Sequence, residues 1–181
     1  EINLNSVIHN LNFYKSRLSP ETGIMVMVKA FSYGSGSFEI ANLLQFHRVE
    51  YLAVAYADEG VELRKAGITL PIMVMSPEES AFEAIIKHRL EPEIYSVEIL
   101  NSFLNALSDY DFDYPIHIKI DSGMHRLGFD QAEMDTLSGL LKDSSRVKVQ
   151  SVFSHLVASD AAEHDGFTLQ QINKFKTIAN Q

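Results

Sequence analysis

Lys29 stands where an apolar run, Ile24-Met25-Val26-Met27-Val28, breaks into the turn Ala30-Phe31-Ser32-Tyr33-Gly34-Ser35-Gly36. The run reads as a buried strand. Burying an unpaired ammonium is costly, so Lys29 either reaches solvent at the rim or is held there for chemistry. At the C-terminal face of an α/β barrel, strand ends carry catalytic groups. A lysine kept partly dry there is a nucleophile able to form a Schiff base. A second stretch, Asp121-Ser122-Gly123-Met124-His125-Arg126-Leu127-Gly128-Phe129, follows the strand Ile116–Ile120. Arg126 could orient an anionic oxygen through its planar fork; the plainer alternative is a polar loop needing glycine for positive φ. Lys119 shares a strand face with Asp121, and pointing into a barrel it needs a partner or a modification that removes its charge. Third, His155 ends the strand Val147–Phe153 as a ring-stacking or acid–base group, or as a satisfied buried histidine. His155, Asp160, His164 and Asp165 match no zinc or calcium spacing, so no metal is expected.

The elements that must position these residues alternate along the chain. A helix capped at Asn5 or Ser6 runs to about Leu18, and the strand Ile24–Val28 follows. Then come a helix over Phe38–Phe46, a strand over Tyr51–Ala55 and a helix over Ala57–Ala66 ended by Gly67. Pro71–Met75 is a strand, and Ser76-Pro77-Glu78-Glu79 starts a helix that reaches His88. A strand interrupted by Pro92 spans Leu90–Tyr95. Val97–Leu107 is helical, Tyr114–Ile120 a strand, Gln131–Leu141 a helix, Val147–Phe153 a strand and Thr168–Ala179 a helix. The acids and bases Asp58, Glu59, Glu62, Arg64 and Lys65 read as a solvated helix face with local ion pairs.

This βα rhythm with short connections implies parallel strands and right-handed crossovers. The turn after the first strand has neither G-x-G-x-x-G nor the Walker pattern. We therefore expect an α/β fold: a (β/α)8 TIM-like barrel, incomplete at about six βα units, with residues 1–181 forming the N-terminal part of a longer protein. No linker-like segment divides it.

Composition narrows the partners. The net charge of −9 over 181 residues argues against nucleic acid and against an anionic membrane surface. No apolar run approaches the roughly 20 residues that span a bilayer. The absence of cysteine excludes disulfides and thiolate chemistry and suits a reducing compartment, so a cytoplasmic location is expected.

Val28-Lys29-Ala30 with Tyr33-Gly34, then Lys119 through Phe129, then Ser154-His155, together resemble the N-terminal barrel portion of alanine racemase. The variant resembles members in which the racemase follows a Mur-type ligase on one polypeptide, which would account for a start without methionine. The resemblance implies a pyridoxal 5'-phosphate enzyme that interconverts L- and D-alanine for peptidoglycan. It implies that Lys29 forms the aldimine and serves as base or acid at one face of the substrate α-carbon. Tyr33 would contact the cofactor phosphate. Arg126 would meet the phenolic oxygen and the substrate carboxylate, with His155 beside the ring and Met124 on the substrate side. Lys119 is the position often carbamylated in this family. A homodimer is implied, along with later barrel strands and a C-terminal β-domain, whose tyrosine serves the opposite face across the dimer.

The family commonly has Asn-Ala where this chain has Phe31-Ser32, though the Lys29-to-Tyr33 spacing is kept. The alternatives are a single-domain, non-catalytic pyridoxal-phosphate-binding protein, an amino-acid decarboxylase of the same fold, and a cofactor-free barrel or phosphate-sugar enzyme.

Overall fold

The computed structural model describes residues 1–110 and 113–180. They form two compact units, Glu1–Glu91 and Pro92–Gln181. Six strands alternate with helices, and every described pairing is parallel. The incomplete (β/α)8 pattern expected from the sequence is therefore borne out.

The first unit runs α1 (Leu4–Lys15), β1 (Met25–Met27), α2 (Lys29–Gly34), α3 (Ser37–Phe46), β2 (Tyr51–Val54), α4 (Ala57–Lys65), β3 (Ile72–Val74) and α5 (Phe82–Lys87). β2 lies between β1 and β3, with Val26 opposite Leu52 and Ala53 opposite Met73. Leu52, Val54, Ile72 and Val74 are sealed between the helix layer and the sheet. Burying each such side chain contributes about 1.5–3 kcal/mol. Both faces of these strands are covered, so they read as continuous apolar runs. The outer edge of β1 borders an apolar groove of about 500 Å³ lined by Leu11, Tyr14, Met25 and Leu44 among others.

Two expected helix starts move. Asn3, and not Asn5 or Ser6, caps α1: its side chain accepts the Asn5 amide at 3.0 Å. Ser76 does not cap a helix. The amides of Met75 and Ser76 continue the parallel pairing onto the carbonyls of Val54 and Ala55, each at 2.9 Å. That pairing keeps Ser76 extended. A 3-10 turn at Glu79–Ala81 follows, and α5 begins only at Phe82.

The second unit comprises β4 (Glu91–Ile94), α6 (Val97–Ala106), β5 (Tyr114–Lys119), α7 (Met134–Asp143), β6 (Val147–Phe153) and α8 (Asp165–Ala179). Pro92 does not break β4, all four residues of which are buried. β5 pairs with β4 and β6, and a register shift at Ile116/His117 sets Lys119 opposite Phe153. Tyr114 packs edge-on against Phe103, ring centroids 5.4 Å apart. α8 starts three residues before the expected Thr168. Among the described residues no helix is long and apolar enough to cross a membrane.

Candidate active site

Lys29 sits at the C-terminal end of β1, half-buried. Among the described residues its side-chain amine makes no hydrogen bond and no ion pair. The backbone behind it is unusual. Ala30, Phe31, Ser32 and Tyr33 have φ of 50, 56, 51 and 54°, so α2 is a left-handed turn made of residues with side chains. Each such residue costs on the order of 1–2 kcal/mol. The expected Gly/Ser-rich turn is thus a strained one, with Gly34 and Gly36 closing it at φ of 85 and 99°.

Hydrogen bonds hold that strain in place. The Ser32 amide donates to the Val28 carbonyl at 3.1 Å, and the Gly36 amide to Phe31 at 3.0 Å. Glu59, at the start of α4, does more. Its Oε1 accepts the Ala30 amide at 2.6 Å, and its Oε2 accepts Ala55 at 2.7 Å and Tyr56 at 3.2 Å. One carboxylate therefore ties the end of β1 to the end of β2. The solvated-face reading of this helix is corrected here: Glu59 is a backbone clamp. Arg64 likewise turns to carbonyls, donating to Ile68, Leu70, His88 and Arg89 at 2.6–3.1 Å. Backbone groups at element ends lack internal partners and recruit both side chains. The turn presents Tyr33 outward, 68 % exposed, while the Ser32 hydroxyl is buried without a hydrogen-bond partner.

In the second unit, β5 delivers Lys119 into the interior at 3 % exposure. A side chain of opposite charge stands beside it. Glu93 of β4, wholly buried, places Oε1 3.4 Å from Lys119 Nζ. Register explains the meeting: Glu93 lies opposite His117, and Lys119 is two residues further along the same face. Lys119 Nζ also lies 5.0 Å from the centroid of the Phe153 ring. Burial pushes the Glu93 carboxyl up from 4.5 to about 7, against the opposing pull of Lys119 and Arg126. His117, on the same face, meets the Ser151 hydroxyl at 2.7 Å.

The loop after β5 folds back on itself. The Phe129 amide donates to Lys119 and the Asp121 amide to Phe129, at 2.8 and 2.9 Å. Asp121 Oδ1 accepts the amides of Gly123 and His125, and its Oδ2 meets His125 Nδ1 at 2.9 Å. Desolvation raises the Asp121 pKa, but these hydrogen bonds together outweigh it and hold the carboxyl below 3.8. Gly128, at φ 124°, cannot be replaced cheaply: a Cβ there would lie 2.7 Å from the Asp121 nitrogen. This scaffold presents Arg126 exposed and Met124 half-buried at the loop.

His155 follows β6 with an exposed side chain. Its carbonyl accepts Gln171 Nε2 at 3.1 Å, while Gln171 Oε1 takes the Val157 amide. Ser122 and Ser154 share a hydrogen bond at 2.7 Å, and Ser154 donates to the Ile120 carbonyl. A wholly buried glutamine thus fastens the loop carrying His155.

Lys29 and Tyr33 therefore belong to the first unit, and Met124, Arg126, Lys119 and His155 to the second. Within the second unit, Lys119 is paired with Glu93. Three functional candidates escaped the sequence reading. Glu59 is an acid in the first turn of α4, a favourable place for one, but no local pattern tells that its carboxylate reaches the end of β1. Glu93 alternates with Glu91 in a buried strand, the same signal that drew attention to Lys119. Gln171 gave no signal, because one amide on a helix marks no face.

The alanine racemase N-terminal domain model matches residues 2–181. The chain is 34 % identical to the alanine racemase of Synechocystis over 99 % of its length and 49 % of that protein. It is 37 % identical to an amino-acid racemase of Enterococcus faecalis, covering 98 % of the chain and 25 % of that protein. The solved alanine racemase of Clostridium difficile superposes with a TM-score of 0.93 at 34 % identity, over 99 % of this chain and 50 % of that one. The chain spans about half the length of most curated relatives it matches.

Proposed function

Because this chain belongs to the alanine racemase family, as an N-terminal domain, we propose that the protein carrying it is a pyridoxal-phosphate-dependent racemase interconverting L- and D-alanine for peptidoglycan synthesis in the cytoplasm. The observation that carries this reading is Lys29, a half-buried and unpartnered amine at a strand end, on a backbone that Glu59 holds. A free amine so placed suits capture of an aldehyde. The buried, unsatisfied Ser32 hydroxyl three residues on also fits a polar group arriving there.

The donor set suits the cofactor. Lys29 would hold its aldehyde carbon, Tyr33 its phosphate, Arg126 its phenolic oxygen and His155 its ring. When bound, pyridoxal phosphate delocalises the charge left on the substrate α-carbon. Lys29 Nζ holds and moves the proton at one face of that carbon. Arg126 orients the substrate carboxylate through its fork, and Met124 lines the substrate side. The second face needs its own acid. We place that acid in the C-terminal β-domain, reached across a homodimer, with the remaining barrel strands supplying further cofactor contacts.

A second reading, broader amino-acid substrates, is favoured by the 37 % identity to the relative named amino-acid racemase. The full protein, supplied with pyridoxal phosphate and L-alanine, should yield D-alanine by chiral chromatography. Replacing Lys29→Ala should cut the rate by about 10³-fold or more. No D-alanine from the intact protein contradicts the proposal. Faster turnover of another small amino acid supports the broader reading.

A further inference from the structure

Glu93 is a buried acid that the proposed racemase chemistry does not use. It lies 3.4 Å from Lys119 Nζ, with the two side chains 0 % and 3 % exposed. No described residue other than Lys119 comes as an ionic or hydrogen-bond partner to the Glu93 oxygens.

We propose that Glu93 is the resident counter-charge of Lys119 and keeps it an unmodified amine. Carbamylation joins the lone pair of a neutral amine to the carbon of CO2 and releases one proton. A nitrogen already bearing its proton against a carboxylate has no lone pair to give. The product would also be a second anion set against Glu93 where no water reaches, and like charges there repel strongly. The carboxylate from β4 thus does by ion pairing what a modification would otherwise do covalently. The state of Lys119 does not rest on the cofactor-binding reading above.

The test is carbon-13 NMR of the full protein equilibrated with labelled bicarbonate at a pH well above the Glu93 midpoint of about 7, where that carboxyl is ionised. The parent protein and Glu93→Asp should show no carbamate carbon. Glu93→Gln, folded by circular dichroism, should gain one, and Lys119→Arg added to it should remove the signal. A carbamate carbon on Lys119 in the parent overturns the proposal, and so does a folded Glu93→Gln that takes no label. The parent spectrum alone decides if Glu93→Gln does not fold. The label is read without turnover, so an inactive protein with an unlabelled Lys119 refutes the racemase reading and supports this one.

Discussion

Glu59 Oε1 accepts the amide of Ala30 at 2.6 Å, and Ala30 is the residue immediately after Lys29. The other oxygen of the same carboxylate holds the end of the neighbouring strand. The position of Lys29 is therefore set from outside its own segment, by a helix that begins more than two dozen residues later.

Removing that clamp should loosen Lys29 before it unfolds the protein. Glu59→Ala strips partners from three backbone amides, a loss of about 2–3 kcal/mol for groups that water partly reaches. Thermal unfolding should show the lowered stability. Hydrogen exchange at Ala30 should accelerate. The reaction of Lys29 with pyridoxal phosphate, followed by absorbance, should slow by about tenfold or more. Glu59→Gln, which keeps an acceptor, should fall between the two.

The left-handed turn gives a test of opposite signs at one position. Phe31 is 65 % exposed and sits at φ 56°, so its ring contributes little packing and its backbone carries strain. Phe31→Val places a β-branched residue where even an unbranched one is strained, and should destabilise by about 1–2 kcal/mol. Phe31→Gly relieves the strain and pays it back as unfolded-chain entropy, so it should lie within about 1 kcal/mol of the parent. Chemical denaturation of the pair decides whether the turn is left-handed in solution.

Stability should respond to pH through two carboxylates of opposite sign. The folded protein raises Glu93 from 4.5 to about 7. It therefore binds the proton more tightly than the unfolded chain. This contribution is complete below 4.5 and is lost as pH rises through about 7. Asp121 is held below 3.8, so its contribution is present above that value and is lost as acid protonates it. Infrared titration should show a buried protonated carboxyl band with its midpoint near 7, absent in Glu93→Gln. A band that disappears by about pH 4.5 contradicts the burial argument.

Much of this was readable in the letters, for reasons that differ by element. β2 and β3 were visible because both faces are covered, which forces the apolar runs Tyr51–Val54 and Ile72–Val74. Val147–Phe153 was found residue for residue, because its β-branched run is bounded by turn signals on each side. Helix starts were harder. Ser76-Pro77-Glu78-Glu79 carries every local start signal, yet backbone pairing to β2 overrides it. Propensity is local, and that competing bond is not. The left-handed turn was invisible because Ala30, Phe31 and Tyr33 carry no preference for positive φ; Glu59 and the closing glycines impose it. Lys119 could be flagged as a charge needing an answer. That Glu93 stands beside it depended on strand register across β4 and β5, which single-chain periodicity does not fix.

The central claim is that the Lys29 amine is the group that captures the cofactor. Borohydride reduction of the full protein mixed with pyridoxal phosphate, followed by peptide mapping, tests it directly. The pyridoxyl group should fall on the peptide containing Lys29, and Lys29→Ala should abolish the labelling. A label carried by Lys119 or by a surface lysine, with Lys29 untouched, would contradict the account.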